Sequence, residues 1–159
     1  FPELKEAFLA VADEFQVVLE ESLLEELIGM WNKNWMLAKP YPEVESTLQE
    51  LQKSHALILI SNTDGFSLPK VLEKFSLERF FYQKYLSYDI GLLKTDPAFL
   101  AKIIQDLQLS PEEVILIGDS IDSDMKAAEQ AGVKGILIDR HDRRNFPQKI
   151  RSLQQLLEL

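Results

Sequence analysis

The sequence predicts an α/β fold: a parallel sheet covered by helices on both faces and preceded by a small helical unit. Three observations carry this expectation. Short unbroken aliphatic runs, ALILIS at 56–61, VILIG at 114–118 and GILID at 135–139, alternate with segments of helical spacing. Such runs belong to strands buried on both sides, as in parallel sheets flanked by helices. The stretch before Lys39 has helical periodicity only, and Lys39-Pro40-Tyr41-Pro42 breaks it.

Taken in order, residues 3–15 place Leu4, Ala7, Phe8, Val11 and Phe15 on one helical stripe. Residues 22–37 form a second amphipathic helix, with Ser22 as N-cap and Glu25 completing a capping box. Residues 1–40 are thus one helical unit, and 41–159 the α/β core. Within the core, 43–53 is helical, 56–61 a strand, 67–75 a helix and 82–87 a weaker strand. The helix at 97–107 has Asp96 as N-cap and Pro97 at its first position. Ser110-Pro111-Glu112-Glu113 signals another helix start before the strand at 114–118. A helix at 123–131, capped by Asp122 or Ser123, leads to the strand at 135–139, and 150–159 closes with a short helix.

Bulk properties narrow the function. The formal net charge of −9, from 26 acidic and 17 basic side chains, argues against a nucleic-acid binder, which needs a basic face. With no cysteine, disulfides, thiolate metal sites and cysteine nucleophiles are excluded. No apolar run has the length of a membrane span and no signal peptide is visible, so a cytoplasmic location is expected.

Open parallel sheets bind ligands beyond the carboxyl ends of their strands. Three features fall there: Ser61-Asn62, Lys94 in the loop GLLKTDP, and the run GDSIDSD at 118–124. Each has a plain structural explanation: turn chemistry for Ser-Asn-Thr-Asp-Gly, a solvated loop lysine, and helix caps for Asp122 and Ser123. Asp119 is redundant as a cap, because it directly follows the strand. Two carboxylates ~4 Å apart repel by roughly 4 kcal/mol at an effective dielectric near 20. Asp119, Asp122 and Asp124 therefore call for a cation.

Together and in this order, the stretches LILISNTDG, GLLKTDPAF and ILIGDSIDSDMKAAEQAGV resemble the haloacid dehalogenase superfamily from about Tyr41 to Arg140. The resemblance implies a three-layer, Rossmann-like core, with the helical segment before KPYP serving as a cap. It implies that Ser61 hydrogen-bonds a phosphoryl oxygen, helped by backbone N–H groups near Asn62. Lys94 would neutralise the phosphoryl group and the nucleophile. Asp119 would ligate Mg²⁺, a hard cation suited to oxygen ligands, and Asp124 would hold Lys94 or reach the metal through water. Thr95 stands where proline is common in the family. Retention of Gly118-Asp119 favours the Mg²⁺-dependent phosphatase branch over the metal-free 2-haloacid dehalogenases, so a small phosphorylated metabolite is the expected substrate.

The resemblance also implies a first strand ending Asp-x-Asp, which supplies a nucleophile and an acid/base. The chain contains no such run. Asp13 lies in a helical pattern, and Asn62-Thr63-Asp64-Gly65 fits the Ser-Asn element better. In the fold implied, that strand lies between those at 56–61 and 114–118, so the expectation is that it precedes Phe1 in the intact protein. A phosphate-binding pseudo-hydrolase is the alternative. A phospho-accepting receiver domain fits poorly, because Lys94 precedes Asp119. Trp31 and Trp35 could shape a substrate pocket, although their spacing also suits the core of the cap. Arg140, His141, Arg143 and Arg144 could meet an anion or form a solvated turn.

Overall fold

The computed structural model describes residues 3–65 and 67–159. Helices α1 (Leu4–Glu14) and α2 (Glu21–Leu37) make up the helical unit. α2 begins one residue ahead of the expected cap, so Ser22 lies inside its first turn and not at its N-cap. After the break come α3 (Val44–Leu51), β1 (Ile58–Ser61), α4 (Ser67–Lys74), β2 (Gln83–Leu86) and a single turn, α5 (Ser87–Ile90). Then follow α6 (Pro97–Asp106), β3 (Ile115–Gly118), α7 (Lys126–Gln130), β4 (Lys134–Ile138) and β5 (Lys149–Ile150). The chain closes in a 3₁₀ segment, Leu153–Glu158, capped reciprocally by Ser152 and Gln155.

Every strand pairing is parallel, as the unbroken aliphatic runs require, but the strands form two groups. β1 pairs with β2, Ile58 opposite Gln83 and Ser61 opposite Leu86. β4 lies between β3 and β5, with Ile117 opposite Ile136 and Leu137 opposite Lys149. Among the described residues, no strand pairs with the second edge of β1 or of β3. Exposure follows the pairing. Leu137 on the central β4 is fully buried, whereas every residue of β1 is only half-buried and Ile115 of β3 is exposed.

Both faces of β1 are nevertheless covered, because alternate residues point to opposite sides. Ile58 and Ile60 pack into a core that joins Tyr85, Leu116 and the α6 residues Phe99, Leu100 and Ile103. Leu57 and Leu59 pack on the other side against Leu72, Leu77 and Phe80. α6 therefore spans both strand groups, and each of its buried large side chains contributes about 1.5–3 kcal/mol. Its start is as expected: Asp96 Oδ1 accepts from the Ala98 N–H at 2.9 Å. The Ser110–Glu113 signal is chemically real, with reciprocal capping, but it yields only the 3₁₀ turn Pro111–Glu113 before β3 begins.

α2 packs against α4. Lys74 Nζ donates to the Met36 carbonyl at 2.6 Å, and Lys70 Nζ lies 4.9 Å from the Trp35 ring centre. On the opposite flank, Arg140 stacks over Tyr41 and pairs with Glu43 at 2.6 Å, which also accepts from Ser152 at 3.1 Å. This staple ties the exit of KPYP to the end of β4. The Arg140 guanidinium holds the Glu43 carboxyl below its usual range.

Candidate active site

The carboxyl ends of β1 and β3 meet through one lysine. Lys94 Nζ lies 2.6 Å from Asp124 Oδ1, and the Lys94 backbone N–H donates to Asn62 Oδ1 at 2.8 Å. Asp124 is 2% exposed and Lys94 17%, so the pair is largely withdrawn from water. Asp124 Oδ2 accepts from the Ser120 N–H at 3.0 Å, leaving neither oxygen of this buried carboxylate without a partner. Buried charge survives only when paired and hydrogen-bonded in this way.

Gly118 makes that arrangement possible. A Cβ there would lie 2.3 Å from Cβ, Cγ and Oδ2 of Asp124, well inside contact distance. The glycine is thus required by close approach of the carboxylate to the strand end. Beyond it, the chain turns through a wide π-type turn, Ile121–Met125, into α7. Ser120 is the N-cap, its Oγ accepting from the Ser123 N–H at 3.2 Å. The cap expected at Asp122 or Ser123 is therefore corrected: the wide turn starts two residues earlier. Asp122 is exposed and pairs with Lys126 one turn on, at 2.7 Å. The Lys126 ammonium lowers the Asp122 pKa.

Asp119 is exposed, and its carboxylate makes no hydrogen bond or ion pair among the described residues. Its carbonyl is bound by the Arg144 guanidinium. Arg144 is itself placed by the buried Asp139, whose Oδ2 accepts the Arg144 N–H at 2.7 Å. Burial pushes the Asp139 pKa up, but the N–H groups of Arg144 and Arg143 together with the Lys149 and Arg144 charges outweigh it, and the net shift is downward. Ser61 ends β1, half-buried, with no hydrogen bond from its hydroxyl among the described residues.

As a metal site, this set is partial. Among the described residues, no cluster of three or more His, Asp or Glu side chains is placed to hold an ion. Mg²⁺ commonly takes one or two protein carboxylates and completes its shell with water and substrate phosphate. The Asp119 carboxylate, a hard oxygen donor at the strand end, fits that requirement. Asp124 is already committed to Lys94 and the Ser120 N–H.

Several neighbours carry weak sequence signals. Ser87, just after β2, accepts from the Thr63 N–H at 3.0 Å and donates to the Thr63 carbonyl at 3.2 Å, fixing the loop beyond Ser61-Asn62. Asp64 accepts from the Ser67 N–H and hydroxyl at 2.5 and 2.7 Å, and from Trp31 Nε1 at 3.2 Å. Trp31 meets Phe8 edge to face at 6.2 Å. Both tryptophans line a cleft of about 780 Å³ between the helical unit and the loops after β1 and β2. Trp31 thus bridges Phe8 of α1 and the Asp64 loop, and Trp35 lies between Asn32 of its own helix and Lys70 of α4.

The parallel α/β core thus carries a lysine–aspartate pair and, among the described residues, an unpaired carboxylate together at its strand ends. The chain belongs to the haloacid dehalogenase-like hydrolase family, whose profile matches residues 2–138. It is 31% identical over 104 residues to a glyceraldehyde 3-phosphate phosphatase of Methanopyrus kandleri, covering 64% of this chain and 44% of that protein. It is 29% identical over 126 residues to a phosphoglycolate phosphatase of Aquifex aeolicus, covering 76% and 59%. The chain thus spans about half the length of these curated relatives. The fold is also that of the HAD-hydrolase YfnB of Bacillus subtilis, solved bound to magnesium. The TM-score is 0.77 at 23% identity, over 95% of this chain and 68% of that one.

Proposed function

We propose that the intact protein is a cytoplasmic, Mg²⁺-dependent phosphatase acting on a small phosphorylated metabolite through an aspartyl-phosphate intermediate. The observation that carries this is the Lys94–Asp124 pair held at the junction of β1 and β3. In this reading residues 1–40 form a cap over the core at 41–159. Ser61 and the backbone near Asn62 bind phosphoryl oxygens, while Asn62 also fixes the Lys94 backbone. Lys94, oriented by Asp124, neutralises the phosphoryl group and the attacking carboxylate. Asp119 would hold Mg²⁺ directly, with Asp124 contributing at most through water. When bound, the metal polarises phosphoryl oxygens and offsets developing charge.

In this reading the nucleophile is an aspartate on a strand that the 159 residues do not supply, and that strand would pair with the second edges of β1 and β3, which have no partner among the described residues. Phosphatase names among the relatives support the chemistry, and the Gly118-Asp119 pair favours phosphate over halide. The test is hydrolysis of p-nitrophenyl phosphate by the protein carrying that strand, with Mg²⁺ and with chelator. Chelation should abolish turnover, Lys94→Ala should do the same, and the 159-residue chain should be inactive. Turnover indifferent to chelation would remove the metal role of Asp119. Turnover by the 159 residues alone would mean that the nucleophile lies among them.

A further inference from the structure

The cleft beside the proposed phosphate site is the most informative feature left over. Its walls are Phe8, Val11, Trp31 and Trp35 on the helical side and Leu92 and Leu93 on the loop that leads to Lys94. Its floor is the Asn62–Asp64 loop, which begins where the phosphoryl-binding groups end. A group esterified to a phosphate seated at Ser61 and Lys94 has this cleft as its neighbour.

The electrostatics of the cleft are one-sided. Among the described residues that line it, none is Lys, Arg or His, while Glu3 and Asp64 contribute carboxylates. The nearby cations have other partners: Lys94 is held by Asp124 and serves the phosphoryl group in the proposed site, Lys5 pairs with Glu21, and Lys70 lies over the Trp35 ring. The indole N–H of Trp31 is directed to Asp64, so the exposed part of this 46% exposed side chain is mainly ring. Leu93, 57% exposed, extends the apolar wall to the residue next to Lys94. A carboxylate or second phosphate brought here would find no cation among the described lining residues and would face like charge, which weakens its binding. An uncharged group would bury apolar surface instead.

We infer that the substrate is a phosphate monoester whose leaving group is uncharged and presents apolar surface to this cleft, not one bearing a second anionic group. This rests on the phosphate-site assignment above. The experiment is calorimetric titration of the intact protein, with chelator to prevent turnover and in moderate salt, with inorganic phosphate, phenyl phosphate and 2-phosphoglycolate. Phenyl phosphate should bind at least as tightly as inorganic phosphate, and 2-phosphoglycolate about tenfold more weakly than phenyl phosphate. Leu93→Lys, on an exposed loop, should shrink that ratio severalfold by giving the carboxylate a partner. Equal or tighter binding of 2-phosphoglycolate while inorganic phosphate binds would overturn the inference and leave the phosphate site standing. A ratio unmoved by Leu93→Lys would place the leaving group elsewhere and overturn it too. Failure of all three probes to bind would overturn the phosphate site, and the inference with it.

Discussion

The Lys94–Asp124 pair makes a quantitative prediction through its asymmetry. At 2.6 Å and an effective dielectric near 20, its Coulomb attraction is about 6 kcal/mol. Desolvation of both ions offsets much of this, so a net coupling of about 2 kcal/mol is expected from a double-mutant cycle. The single variants should differ. Lys94→Ala strands a carboxylate that is 2% exposed, which costs about 3–5 kcal/mol. Asp124→Ala leaves a lysine that is 17% exposed on a flexible stem and can swing toward water, so about 2–3 kcal/mol is expected. Urea unfolding of the parent, both singles and the double, followed by circular dichroism with common m-values, supplies the cycle. A coupling below about 0.5 kcal/mol, or an Asp124→Ala loss equal to that of Lys94→Ala, would refute the claim that Asp124 is the buried partner that positions Lys94.

Two further outcomes are expected. Gly118→Ala forces its Cβ to within 2.3 Å of the Asp124 side chain. It should lower stability by about 1–3 kcal/mol through overpacking, read as a drop in Tm, and an unchanged Tm would show that the strand end yields freely. Glu43, held below its ordinary value chiefly by the hydrogen bond from Arg140, contributes stability that is complete above pH 4.5. That contribution is lost as pH falls through the lowered folded-state value. Glu43→Gln should therefore lower stability at neutral pH and flatten its decline below pH 4.5, and parallel acid limbs in parent and variant would contradict this.

Much of the fold was legible because the main signals were local. The aliphatic runs located β1, β3 and β4 to within two residues, and Asp96-Pro97 marked the start of α6. The failures arose where a local signal competed with geometry set elsewhere. Ser110 and Glu113 cap each other as expected, yet β3 takes the chain after a single turn because Leu116 has a core to enter. Asp122 looks like a cap, but burial of Asp124 against Gly118 requires a wider turn and passes capping to Ser120. The positions of Lys94 and Asp119 were readable from motif order. The hydrogen bond from the Lys94 N–H to Asn62 was not, because it joins residues 32 apart and no periodic pattern encodes it. Trp31 and Trp35 fit a helix interior by spacing alone. Trp31 does meet Phe8 of α1, but its bond to Asp64 and the approach of Lys70 to Trp35 join segments far apart in sequence, so only the fold reveals them.

The second edges of β1 and β3 matter for how the chain behaves in bulk. Among the described residues each has no strand partner, so the 159-residue chain without the proposed strand offers N–H and C=O groups that another extended chain can pair with, and their aliphatic sequences favour such pairing. Mutual repulsion from a net charge of −9 opposes encounters between copies, but salt screens it over about 10 Å at 0.1 M. Refolding yield should therefore fall with concentration, and fall faster as ionic strength rises. The lateral edges of the two strands whose ends carry the chemistry thus set the conditions under which the 159-residue chain stays dispersed.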